Sequence, residues 1–132
     1  MKTTEFEPRL YIVMREDLWD MNPGKGMAQA AHAQADFDAY TENNYTDDDF
    51  RSAHIQWCED RNFGTTLVLK AKYENFAEIM YNVRRAGTIL DPTYPYRNWY
   101  GDVFVCSEVT CMWVFVTDEK DSEYMKKFPL HG

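Results

Sequence analysis

Long apolar runs are missing from this chain. No stretch approaches the roughly 18 apolar residues of a membrane span, and the charged opening MKTTEFEPR has no signal-peptide core. The expectation is a cytoplasmic protein with no membrane partner. Cysteine is sparse as well. Cys58, Cys106 and Cys111 form no C-x-x-C pair and leave an odd count, which points to reduced, buried thiols and away from a disulfide framework. With 3 histidines in 132 residues, a histidine-rich metal site is not expected. Repeats, low-complexity tracts and linkers are also absent, so residues 1–132 read as one domain. What is present can fold: 45% hydrophobic and 16% aromatic residues favour a packed core over disorder.

Basic residues are the other shortage. Lysine and arginine number 14 against 22 aspartates and glutamates, a formal charge of −8. A net negative surface repels nucleic acid at long range. The charge is uneven, however. Residues 36–49 hold six acids (Asp36, Asp38, Glu42, Asp47, Asp48 and Asp49) and no base, whereas residues 70–97 carry Lys70, Lys72, Arg84, Arg85 and Arg97. A basic face on an acidic protein stays open on this pattern.

The patterning predicts the order β-α-α-β-α-β-β-α, a single mixed sheet of about four strands with helices on both faces, an α/β fold. Residues 9–15 read as a buried strand. An alanine-rich helix is predicted over 25–40, with Met27 and Phe37 as its bulkier packing points. A second helix is predicted to about residue 60, capped at Thr46 and led by Asp47-Asp48-Asp49. A strand is expected over 65–72, then a helix over 73–86 that buries Phe76, Ile79, Met80 and Val83 and ends at Gly87. Residues 88–90 are a short strand and 93–101 a loop. A last strand falls mainly at 110–116, followed by a short helix over 118–127 and an apolar tail, Phe128-Pro129-Leu130, able to dock back.

The chemistry concentrates where the first strand meets the alanine-rich helix. Lys25, Gln29, His32 and Asp36 fall at i, i+4, i+7 and i+11, on one helix face. Lys25 opposes the dipole at the helix start, so helix stability does not explain it. Gly24-Lys25-Gly26 is not a P-loop, because position 19 is Trp and position 26 is Gly. His32 reads either as a base or as a hydrogen-bonded interior histidine. Asp91, directly before Pro92, is either a site carboxylate or a turn cap. Tyr94, Tyr96, Trp99 and Tyr100 either stack on a nucleoside or pack onto the domain. His54 and Cys58, at i and i+4, lack a third ligand, and no metal is expected.

These residues carry a resemblance. The order Arg15, Asp17, Leu18, Met21, Gly24, Lys25, Ala28, Gln29, His32 and Ala33 resembles the opening signature of the type 2 peptidyl-tRNA hydrolases. The family carries an aspartate after a comparable strand, usually in Asp-Ala-Gly; here the text is Asp91-Pro92-Thr93, with Gly101 and Thr110 as candidates for a later Gly-…-Thr segment. The resemblance implies hydrolysis of the ester joining a peptide to the 3′ end of tRNA, without metal or organic cofactor. It makes Lys25, Asp91 and His32 the catalytic candidates. Lys25 would stabilise charge or position substrate, and Asp91 would orient or deprotonate water. Gln29, Thr110 and Thr93 would line the pocket, with Arg15 and Asp17 bracing the strand-to-helix turn. A homodimer is compatible with the sequence. Two other classes stay open: a non-catalytic binding module on the same fold, favoured by the acidic charge and Asp91-Pro92, and a hydrolase of a small acyl ester or amide.

Overall fold

The computed structural model describes residues 6–18, 21–59, 64–97 and 100–131. Its elements are β1 (Arg9–Arg15), α1 (Pro23–Asn44), α2 (Asp48–Glu59), β2 (Thr66–Ala71), α3 (Tyr73–Asn82), β3 (Ala86–Arg97), β4 (Val103–Val116) and α4 (Glu119–Met125). The order is the one the patterning predicts. The sheet runs β2-β1-β4-β3, with β1 parallel to β2 and antiparallel to β4, and β3 antiparallel to β4 at the edge.

Strand β1 lies between two neighbours and under helices on both faces, which is why its interior is uniformly apolar. Leu10, Ile12 and Met14 join Ala33 and Phe37 of α1 and Phe50, Ala53 and Trp57 of α2 in one core. Tyr11 and Val13 join Phe76, Ile79 and Val83 of the α3 region and Met125 of α4 in the other. The tail docks as expected: the Lys70 N–H donates to the Pro129 carbonyl at 3.0 Å, and the His131 N–H to that of Val68 at 2.8 Å. No described helix is long and apolar enough to cross a membrane.

Several local expectations are corrected. Helix α1 begins earlier and ends later than 25–40: Pro23 occupies its first turn and Asn22 caps it, accepting from the Lys25 N–H at 2.9 Å. The cap of α2 is Asp47, which accepts from the Asp49 and Phe50 N–H groups, so Thr46 is displaced from that role. Helix α3 stops at Asn82, and Gly87 lies inside β3 opposite Trp113. A Cβ there would stand 2.6 Å from Trp113 Nε1, so this glycine makes room for an indole and does not end a helix. Met80 is 42% and Met27 71% exposed, so neither is the packing point expected. Cys111 is buried, but Cys58 is exposed.

The largest correction concerns residues 93–101. Strand β3 continues through Pro92 and Pro95 to Arg97, and β4 starts at Val103, so the hairpin extends beyond the reach of β1 as a two-stranded ribbon. Prolines are tolerated because β3 is an edge strand, whose outer side needs no ladder donors. The ladder steps twice. Ile89 faces Cys111 while Leu90 faces Val109, leaving Thr110 as an extra residue; Asp91 faces Glu108 while Tyr94 faces Cys106, leaving the Pro92-Thr93 pair opposite Ser107. These are β-bulges, and both occur where α1 crosses the hairpin.

Candidate active site

The polar face of α1 meets the β3–β4 hairpin position by position. The Lys25 ammonium donates to the Pro95 carbonyl at 2.8 Å and lies 5.4 Å from the centre of the Tyr94 ring. One turn on, the Gln29 amide nitrogen donates to Asp91 Oδ2 at 2.7 Å, and its oxygen accepts from the Thr110 hydroxyl at 2.6 Å. Two turns further, Asp36 accepts from the Trp113 indole N–H at 2.7 Å, across the space that Gly87 leaves. The predicted face is therefore real, and its last member is occupied by structure.

The bulges make this assembly. Along β4, Cys111, Trp113 and Phe115 face α1 while Met112, Val114 and Val116 face α3. Simple alternation would turn Thr110 toward α3. The extra residue turns it back, so Thr110 and its neighbour Cys111 both reach Gln29, Cys111 Sγ donating to the Gln29 carbonyl at 3.3 Å. The second bulge keeps Asp91 and Tyr94 on the same side. Asp91 Oδ1 accepts from the Thr93 N–H at 2.9 Å and its hydroxyl at 3.3 Å.

Gln29 and Thr110 are 3% and 0% exposed, so their bond is shielded from water and a single orientation of the amide is fixed. Burial acts to raise the Asp91 pKa, but the Thr93 N–H, the Gln29 amide, the Thr93 hydroxyl and the nearby His32 together hold it below the usual carboxylate value. Asp91 is thus an ionised acceptor at neutral pH. His32 is on the exposed side of α1, and with Asp36, Asp91, Thr88 and Thr93 it lines a groove of about 590 Å³. That excludes the interior-histidine reading. Burial pushes the Cys111 thiol up to about 12, which makes it inert.

Arg15 and Asp17 lie away from this amide. Arg15 donates to Glu108 and to the Val109 carbonyl, both at 2.9 Å, and pairs with Asp17 at 3.1 Å; Asp17 accepts from the Tyr73 N–H at 3.3 Å. Burial opposes both charges, but the pairing outweighs it, so Arg15 is raised and Asp17 lowered. They tie the end of β1 to α3 and to the ribbon, a different brace from the strand-to-helix turn expected of them.

No family model matches the chain, and no curated protein is significantly similar to it. The site must therefore be read from its own geometry.

Of the tyrosines, Tyr94 is fully buried and set edge-on to Tyr96, with its hydroxyl 3.6 Å from Met21 Sδ. It packs onto the domain and is not a free stacking surface. Tyr96 stacks on Phe104, and burial and Glu108 push its phenol up to about 12. Tyr100 is 90% exposed, and Trp99 lies outside the described residues. Sequence reasoning missed Glu108, Phe104 and the Pro95 carbonyl. Only the first two carry a side-chain signal, and nothing in spacing links them to Lys25.

The basic segment does not form one face. Arg85 is 5% exposed and held by Asp47 and Thr117, Arg84 pairs with Asp118 at 3.8 Å, and Arg97 donates to the Gly101 carbonyl. Cys58 Sγ lies 3.7 Å from a His54 ring nitrogen. Among the described residues, no group of three or more His, Cys, Asp or Glu side chains is placed to hold a metal.

Proposed function

We propose that the chain is an ester hydrolase acting at the 3′ end of peptidyl-tRNA, working in the cytoplasm without a cofactor. The observation that carries this reading is Gln29 held between Asp91 and Thr110 one helical turn from the Lys25 ammonium. Ester hydrolysis needs an oriented water, a cation or donor for the developing oxyanion, and a rigid frame. Asp91, ionised and facing the groove, orients the water. Its lowered pKa makes it a weak proton acceptor, so proton removal falls to the His32 imidazole, which lines the same groove. Lys25, steadied by the Pro95 carbonyl and the Tyr94 ring, supplies positive charge to the oxyanion. Gln29 and Thr110 fix Asp91 and touch no reacting atom.

The distribution of cations favours a second reading, a hydrolase of small acyl esters. Arg15, Arg51, Arg84, Arg85, Lys126 and Lys127, six of the 14 lysines and arginines, are paired with carboxylates, and a chain of charge −8 repels a tRNA backbone at long range.

Release of free tRNA from N-acetyl-aminoacyl-tRNA tests both. The expected result is turnover that falls about 10²–10³-fold in Lys25→Ala and strongly in Asp91→Asn, with both variants folded. Turnover that weakens steeply with salt marks contact with the tRNA phosphates. Turnover of a small ester with a flat salt response favours the second reading, and no turnover of either substrate overturns both.

A further inference from the structure

The other flank of α1 carries a second cavity. It has a volume of about 530 Å³ and is lined by Met14, Met21, Met27, Ala30 and Val68, with Asn22 and His131 as its polar members. It exists because α1 presents Gly26 and Ala30 above Val68; a Cβ on Gly26 would meet only the Met14 methyl, at 4.0 Å. Met14 forms a buried wall, 2% exposed, and Met27 is 71% exposed. The docked tail holds His131 in place through its N–H bond to the Val68 carbonyl.

Volume and lining are those of a small-ligand site. Apart from His131, the lining holds no ionisable side chain. Methionine is unbranched and polarisable, and adapts to apolar groups of different shape. The cavity also adjoins the proposed catalytic centre. Gly26 follows Lys25 in the chain, and Met21, a lining residue, receives the hydroxyl of the Tyr94 ring that lies beneath the Lys25 ammonium.

We propose that this cavity is the acyl-side subsite, taking the apolar side chain of the amino acid whose ester is cleaved. In this assignment an acyl group held at Lys25 sends its substituent past Met21 and Gly26 into the cavity, whose volume of about 530 Å³ is ample for a leucine- or methionine-sized chain. The flank facing β3 is polar and receives the ribose side of the ester. This assignment rests on the hydrolase reading.

The test has two parts. Methionine-methyl NMR is recorded while the intact chain is titrated with N-acetyl-leucinamide, a probe that lacks the scissile ester. The expected result is saturable shifts at the Met14, Met21 and Met27 methyls, with Met80, Met112 and Met125 unmoved; no shift at Met14, Met21 and Met27 overturns the subsite. Next, kcat/KM is compared for N-acetyl-leucyl-tRNA and N-acetyl-aspartyl-tRNA. An apolar chain in such a pocket is worth about 10–200-fold, so leucine should lead by at least about tenfold. Ala30→Phe, which fills the cavity, should erase that lead. Met27→Glu, at an exposed position where folding is insensitive, should also shrink it and favour a lysyl substrate. Equal turnover of both substrates by the wild type, unchanged in the two variants, overturns the subsite and leaves the hydrolase intact. Methyl shifts without turnover of any tRNA ester support an apolar acyl-binding cavity and overturn the peptidyl-tRNA reading.

Discussion

Helix α1 separates two regions of opposite chemistry. On the β3 side Lys25, Gln29 and Asp36 each make a hydrogen bond to the hairpin, and the space left between is polar and open. On the β2 side Gly26 and Ala30 make no such bond, and the space is apolar and flanked by methionines. Hydrogen bonds demand one geometry and fix the helix against the strand, whereas small apolar residues set only a distance. The same helix therefore gains precision on one flank and adaptability on the other. That division suits the proposed hydrolysis, in which the ester is constant and the acyl substituent varies.

The sharpest way to break the comparison is Gln29→Leu, which keeps the volume and removes the polarity. It takes the acceptor from the buried Thr110 hydroxyl and the donor from Asp91 Oδ2, and should lower stability by about 2–4 kcal/mol, read as a reduced denaturant midpoint. If the unfolding free energy stays within about 0.5 kcal/mol of wild type, the polar flank does not hold the helix. Gly87→Ala should have the next largest effect. Its methyl would meet the buried Trp113 ring at 2.6 Å and Asp36 at 2.9 Å, an overpacking worth about 1–3 kcal/mol. Indole fluorescence should change with it, because the Trp113–Asp36 bond must move.

The smallest effect is expected from acid. The folded Asp91 pKa lies below its unfolded value of about 3.9, so its contribution is fully present above that value and disappears as pH falls through the folded pKa. Asp91→Asn should therefore melt below wild type at pH 7, and the gap should close below about pH 4. A gap that persists unchanged at acid pH would show that shape, not charge, is what Asp91 supplies.

Much of this fold could be read from the sequence because its signals are local. The apolar run of β1, the helical spacing of Phe50, Ala53 and Trp57, and the docked tail all follow from period and composition. The face of Lys25, Gln29 and His32 was legible for the same reason. What they face was not. Pro92, Pro95 and the tyrosines look like loop chemistry, and only the edge position of β3 allows them in a strand. Gly87 looks like a helix terminator until Trp113 is known to lie across it. Thr110 entered through a resemblance, and its direction depends on a bulge that no alternation of residue types announces.

That bulge has a consequence for how the hairpin can change. Because a strand's side chains alternate with a period of two, one additional residue works as a phase inverter. Residues 103–109 and residues 111–116 are written in opposite frames, and Thr110 is the shared punctuation. A gain or loss of a single residue at this point is equivalent to turning over one half of the strand, exchanging what Glu108 and Val109 present to the two sides of the sheet. In an ordinary surface loop the same change would alter only a length.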